Sequence, residues 1–171
     1  MRIKIRDIPD EGQDWEEPLS ESFLRDALEG LGADLSQTHA TAKLLLYKAG
    51  STVIAQGKLT GVVAVPCSRC LGLAALLIDV PMRIIFAPED EMPDEKSVGD
   101  EDDLCTHDYN FIVLDDVLRE AVILAVPMTP LCREDCKGLC AACGKDRNLV
   151  DCGCDTRPPD PRFAVLQSLK V

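Results

Sequence analysis

The chain has 171 residues, of which 46% are hydrophobic, so it can form one core and is not a disordered protein. Acidic residues outnumber basic ones by 30 to 18, giving a net charge of -12. That charge disfavours binding to nucleic acid by charge alone and suits a basic protein partner. The N-terminal MRIKIRDIPDEG lacks the apolar run of a secretion signal, and no segment approaches the ~18 apolar residues of a membrane span. We therefore expect a cytoplasmic, reducing environment.

The N-terminal part is expected to contain one strand and one helix. RIKIRDI alternates apolar and charged residues, which predicts a short half-buried strand, and the polar stretch Pro9–Pro18 predicts a loop. From Ser20 onward, apolar residues recur at helical spacing. We predict a helix of about three turns, with Ser20 as its N-cap and Gly30 or Gly32 as its stop.

The middle of the chain is rich in residues that favour strands. ATAKLLLYKAG and STVIAQGKLTGVVAVPC predict two strands joined by a turn at Gly50. LGLAALLIDVPMRIIFAP predicts one long strand, or two strands separated near Asp79–Pro81. Three or four antiparallel strands with a helix on one face make an adequate core, so we expect an α+β fold.

An acidic stretch then occupies residues 88–103 (PEDEMPDEKSVGDEDD), where nine of sixteen residues are Asp or Glu. This composition predicts a solvated, flexible loop rather than an ion-binding site. Residues 108–113 suit a short strand, and a helix is expected from Leu114 or Asp115 to Val126.

The C-terminal part predicts a metal-binding segment followed by a helix. The tail DPRFAVLQSLK has Asp160 as N-cap and Pro161 at the first helical position, and its apolar residues predict docking on the core. We therefore divide the chain into an α+β core domain, residues 1–130, and a cysteine-rich segment with a terminal helix, residues 131–171.

Eight of the nine cysteines are candidate ligands for zinc, which takes four thiolates in structural sites. Few large apolar residues lie between Cys132 and Cys154, so this segment needs a metal rather than a core to fold. Cys105 is the remaining cysteine, predicted to be a free thiol in or near the acidic loop. The favoured first site comprises Cys140, Cys143, Cys152 and Cys154, and a possible second site comprises Cys132, Cys136, Cys67 and Cys70.

Three other uses of these thiols remain open at this point. An iron–sulfur cluster also takes four thiolates, and disulfides form in oxidising compartments. A redox pair of the CxxC type needs a helix after the motif, whereas a strand is expected after Cys70. No phosphate-binding loop, nucleophile elbow or dinucleotide fingerprint is found, and His39 and His107 are predicted to be surface residues, so no enzyme is expected.

Five motifs occur in order along the chain: CSRCL, LREAVILAVPMTPLC, EDCKGLCAACGKDRN, CGC and DPRFAVLQSL. In this combination they resemble the YceD family of large ribosomal RNA subunit accumulation proteins. The resemblance implies a cytoplasmic, non-enzymatic factor that is needed for 23S ribosomal RNA accumulation and large-subunit assembly. It also implies a large-subunit ribosomal protein or the 23S precursor as the partner, with no small-molecule substrate.

An acidic factor can bind a basic ribosomal protein by charge complementarity. Zinc knuckles also bind RNA in other proteins, although here acidic residues interleave with the basic ones and no aromatic residue is available for stacking. An adaptor zinc protein outside the ribosome and a thiol redox enzyme are the alternatives. Candidate cations for contact with RNA or a partner are Lys137, Lys145, Arg147, Arg157 and Arg162.

Overall fold

The computed structural model describes residues 1–91 and 103–154. The expected α+β class is confirmed: a five-stranded sheet carries two helices, and a two-stranded sheet lies beside it. The terminal helix predicted from Asp160 lies outside the described residues. The strands are β1 (Arg2–Lys4), β2 (Gln13–Pro18), β3 (His39–Ala49), β4 (Thr52–Pro66), β5 (Leu73–Pro88), β6 (Asp103–His107) and β7 (Phe111–Val113), and the helices are α1 (Glu21–Ala27) and α2 (Asp115–Ala125).

The large sheet has the order β2-β3-β4-β5-β6. Its first four strands form an antiparallel meander, and the predicted turn at Gly50 joins β3 to β4. β5 is one long strand rather than two, and β6 pairs with it in parallel. The fifth, parallel strand departs from the expected three or four antiparallel strands. β1 pairs with β7 in the small sheet.

Both helices cover one face of the large sheet. Ser20 caps α1 as predicted, because its Oγ accepts the backbone N–H of Phe23 at 3.2 Å. α1 is shorter than the predicted three turns and ends before Gly30, which has a φ of +83°. The guanidinium of Arg119 on α2 lies 5.4 Å from the Phe23 ring and so links the two helices.

Two predictions in the strands and loops are wrong. The polar stretch Pro9–Pro18 contains the edge strand β2, whose Trp15 is half-buried against the core while its neighbours face solvent. His107 is buried rather than exposed: its Nε2 donates to the Ser51 carbonyl at 2.9 Å and its Nδ1 accepts the Tyr109 N–H at 3.0 Å. Because an edge strand such as β2 needs few inward-facing apolar side chains, its sequence resembles that of a loop.

Regular structure extends into both ends of the loop predicted for residues 88–103. β5 runs to Pro88, a 3-10 turn follows at Glu89–Glu91, and β6 begins at Asp103. Within the two described ranges, no helix is long and apolar enough to cross a membrane.

Candidate metal centres

The first cluster of thiols joins the turn between β4 and β5 to the chain that follows α2. Cys67 comes directly after β4 and Cys70 lies in the turn, whereas Cys132 and Cys136 lie beyond α2. The Sγ atoms of Cys67 and Cys136 are 3.8 Å apart, and those of Cys70 and Cys132 are 3.7 Å apart. All four Sγ atoms lie within 4.8 Å of one another.

These separations fit a single tetrahedral metal ion. Four sulfurs at ~2.3 Å from a zinc ion lie roughly 3.8 Å from each other, whereas a disulfide needs about 2.05 Å. The cysteines are free thiols. Cys67, Cys70 and Cys136 are buried, and Ala74 and Leu131 pack beside them. The first cluster can therefore hold a metal ion in a dry setting, with an apolar shell around most of its ligands.

The second cluster is local in sequence and more open. The Sγ atoms of Cys140, Cys143, Cys152 and Cys154 also lie within 4.8 Å of one another, and Cys143 is exposed. An antiparallel β-bridge between Leu139 and Asp146 closes the chain around the first pair, Cys140 and Cys143. The structure thus brings together the same two sets of four thiols that the spacing suggested, and each set can hold one metal ion.

Both CxxC segments form the same turn. The N–H of Leu71 donates to the Cys67 carbonyl at 3.0 Å, and the N–H of Gly144 donates to the Cys140 carbonyl at 2.8 Å. The donor residue has a positive φ in each case, +60° at Leu71 and +71° at Gly144. Glycine adopts this conformation without strain, but leucine does not. The repeated turn places two thiols side by side in each cluster.

Backbone N–H groups near the sulfurs stabilise the thiolate form of one cysteine in each cluster. The N–H of Cys132 is the largest of several backbone donors that lower the pKa of Cys67 to about 6. The N–H of Cys143 is likewise the largest of the donors that lower the pKa of Cys140 to about 6. Since the thiolate is the metal ligand, each cluster offers one ligand already close to its binding state at neutral pH.

The pKa of another thiol in the first cluster shows why a cation would stabilise the four thiolates. Burial and the neighbouring sulfurs raise the pKa of Cys132 to about 12 in the absence of a metal. Four thiolates cannot coexist at this distance without a positive charge between them. The donor set therefore matches a divalent cation, whose charge offsets the repulsion.

Arg69, which lies between the paired cysteines of CSRC, holds the C-terminal segment against the sheet. Its guanidinium Nη1 donates to the Cys136 carbonyl at 2.9 Å, and its own carbonyl accepts the N–H of Leu139 at 3.1 Å. One residue earlier, the N–H of Ser68 donates to the Pro130 carbonyl at 2.8 Å. The turn thus positions both clusters.

Asn148 is a second residue that positions the cysteines, and its role was not predicted from the sequence. Its Oδ1 accepts the N–H of Lys137 at 2.7 Å, and its Nδ2 donates to the Cys136 sulfur at 3.4 Å. Asp146 Oδ1 in turn accepts from Asn148 Nδ2 at 2.7 Å and fixes its orientation. Asn148 lies in the motif EDCKGLCAACGKDRN, but the motif by itself did not indicate what this side chain contacts.

A comparison with models of protein families assigns the chain to a family. Residues 55–170 match the family model described as "Large ribosomal RNA subunit accumulation protein YceD". The match covers about two thirds of the chain and includes both clusters. This chain belongs to the YceD family. The membership that the five motifs indicated is therefore confirmed, and it associates the chain with a ribosome-related role.

Several mycobacterial proteins share detectable sequence similarity with this chain. Uncharacterized proteins of Mycobacterium bovis and Mycobacterium tuberculosis are each 36% identical over 111 residues, which is 63% of this chain and 52% of theirs. An uncharacterized protein of Mycobacterium leprae is 31% identical over 118 residues, 68% of this chain and 52% of its own length. The chain spans about half the length of these relatives. No solved structure matches it.

Three of the five predicted contact cations lie within the described residues. Lys137, Lys145 and Arg147 are exposed on the C-terminal segment, whereas Arg157 and Arg162 lie outside the described residues. The backbone of these three residues is ordered by local hydrogen bonds, such as that from the Arg147 N–H to the Gly138 carbonyl at 2.9 Å. Contact of these side chains with RNA or a protein remains a prediction.

Cys105 lies on β6 and is the one thiol among the nine that belongs to neither cluster. Burial, followed by the negative charges of Asp103 and Asp116, raises the pKa of Cys105 to about 11. At pH 8 its thiolate fraction should be roughly 100-fold below that of an unperturbed thiol. We expect Cys105 to alkylate correspondingly slowly with iodoacetamide in the native protein, as followed by mass spectrometry. Rapid alkylation of Cys105 in the native protein, at the rate seen in denaturant, would contradict this environment.

Proposed function

We propose that this protein is a non-enzymatic assembly factor that is needed for accumulation of 23S ribosomal RNA in the large ribosomal subunit. The observation that carries the proposal is the family match over residues 55–170, whose description names large ribosomal RNA accumulation. The cysteine clusters fall inside this range. The factor acts by binding, and its C-terminal segment is a folded module rather than a reaction centre.

Zinc is the metal proposed for both clusters. Each offers four thiolates and leaves no coordination position for water or a substrate, which is the arrangement of structural rather than catalytic zinc sites. The chemistry that the ion supplies is cross-linking of chain segments. The residues of the first cluster would connect the sheet to the C-terminal segment, and those of the second would close a short loop within it.

A basic large-subunit ribosomal protein is the proposed partner. The chain carries a net charge of -12, and the edge strand β2 presents Asp14, Glu16 and Glu17 to solvent. Basic segments of ribosomal proteins need charge compensation before they reach RNA, and an acidic surface supplies it. Cytoplasmic location follows from this role and is part of the proposal.

Depletion of the protein in its own cells tests the role. We expect the amount of 23S ribosomal RNA to fall relative to 16S, because loss of a large-subunit factor leaves the small subunit intact. Re-expression of the wild-type chain should restore the ratio, and Cys105→Ser should restore it equally, since Cys105 lies outside both clusters. Equal loss of 23S and 16S RNA would overturn the proposal and favour an adaptor role outside the ribosome.

A further inference from the structure

An apolar groove of about 500 Å³ opens beside the end of α2. One wall comes from the last turn of α2 and the chain after it, and the other comes from the end of β4 and the loop after α1. The groove is lined by Leu31, Val65, Ile123, Leu124, Pro127 and Met128.

Several of these side chains are exposed to a degree that is unusual for their type. Leu124 is 74% exposed and Met128 is fully exposed. Leu124 lies two turns after the buried Val117 and so continues the buried row of α2, but at this end of the helix the described ranges leave most of its side chain exposed. Contiguous exposed apolar surface on a soluble chain marks a contact with something else.

We propose that the groove is the docking site of the chain's own C-terminal segment, residues 160–170, bound as an amphipathic helix. This segment lies outside the described residues. Its sequence predicts a helix capped by Asp160, in which Phe163, Leu166 and Leu169 recur every third residue and so share one face. Such a face is complementary to an apolar groove.

The end of the described chain is held close to the groove. Cys154 Sγ lies within 4.8 Å of Cys140 Sγ. The backbone N–H of Leu139, next to Cys140, donates a hydrogen bond to the carbonyl of Arg69 in the CSRC turn. That turn directly follows β4, whose Val65 lines the groove. From Cys154 to Asp160 the chain can span about 20 Å, so the terminal segment is free to leave the second cluster and reach neighbouring surfaces.

The family match adds an independent argument. It runs from residue 55 to residue 170 and ends with the terminal segment, whereas the first three strands lie outside it. The last turn of α2, the end of β4 and residues 160–170 therefore belong to one family unit. The groove is an apolar surface of that same unit, so docking would bring together two parts that the family model covers.

Photo-crosslinking in the full-length protein tests the docking. The photoreactive residue p-benzoylphenylalanine is placed at Leu124, and an equal mixture of ¹⁵N-labelled and unlabelled protein is irradiated and mapped by mass spectrometry. We expect crosslinks to residues 160–170 within the same molecule. The same residue at Leu77, which is 88% exposed and faces away from the helices, should give no such crosslink.

Point variants of the segment distinguish docking from chance proximity. Leu166→Asp should abolish the crosslink from Leu124, because it places a charge on the apolar face, whereas Ser168→Asp on the other side should keep it. Circular dichroism verifies that both variants are folded. Crosslinks between labelled and unlabelled chains would instead assign the groove to a second copy. Crosslinks to any other segment, or none, would also overturn the proposal.

Discussion

Replacing Cys136 with serine is expected to remove one of two zinc ions per chain and to detach residues 131–154 from the sheet. Cys136 is buried, its sulfur lies 3.8 Å from that of Cys67, and the two residues are 69 positions apart. Few apolar contacts hold this segment, since the cluster around the thiols adds only Ala74, Leu76 and Leu131 to the cysteines. The metal is therefore its main attachment.

The size of the effect follows from the energetics of structural zinc. Such ions contribute about 10–16 kcal/mol of apparent binding free energy, which is comparable with the total stability of a domain, about 5–15 kcal/mol. Serine cannot replace the thiolate as a soft ligand, so most of this contribution should vanish from the first cluster. The sheet keeps its own core on the helix-covered face and should remain folded.

The second cluster provides a matched comparison. Cys143→Ser should also lower the zinc content from two ions to one, but it disrupts only a local loop, because Cys140 and Cys154 lie within the same short segment. Limited proteolysis should cut the Cys136→Ser protein between α2 and the second cluster, and the Cys143→Ser protein only beyond residue 139. Metal content is measured by mass spectrometry on protein purified without oxygen. Equal proteolysis of the two variants would contradict the attachment role, and iron instead of zinc would replace the assignment by an iron–sulfur cluster.

Much of the large sheet could be predicted because its long strands are rich in apolar residues and largely alternate buried and exposed positions. β3 and β4 follow runs of apolar and β-branched residues and meet at Gly50, so pairing and turn agree in the sequence. β2 could not be predicted in the same way, since its one inward anchor is Trp15 and the rest of the strand consists of acidic residues, a glutamine and a proline. The parallel pairing of β6 with β5 depends on a long connection whose path the local sequence does not specify.

The metal clusters were predictable in outline for a different reason. Eight cysteines in four close pairs can form two four-thiolate sites in only a few ways. In one of these arrangements, the two cysteines of the CSRC turn share a site with Cys132 and Cys136. The residues that orient the ligands were not predictable. Arg69 contacts the backbone carbonyl of Cys136, and Asn148 contacts both the backbone N–H of Lys137 and the sulfur of Cys136. Nothing in the spacing of these residues indicates those contacts.

Gly138 provides the sharpest test of how the two clusters are joined. It has a φ of +69°, and a Cβ there would lie 2.9 Å from the Arg69 carbonyl oxygen, which is a backbone atom that cannot easily move. Gly144 has nearly the same φ, +71°, but nothing lies within 4 Å of its Cβ position. Both substitutions to alanine cost about 1–2 kcal/mol for the left-handed conformation. Only Gly138→Ala adds the cost of overpacking, about 1–3 kcal/mol.

Gly138→Ala is therefore expected to break the contact between the segment and the turn while Gly144→Ala leaves it intact. The N–H of Leu139, which donates to the Arg69 carbonyl, reports this contact through its hydrogen-exchange rate in the zinc-loaded protein. Its protection should fall by roughly 10-fold or more in Gly138→Ala, since about 1.4 kcal/mol corresponds to a factor of ten. In Gly144→Ala it should stay near the wild-type value, because that strain lies within the second cluster. Equal loss of protection in the two variants would show that the close approach to Arg69 does not hold the segment, and the first metal ion alone would then have to do so.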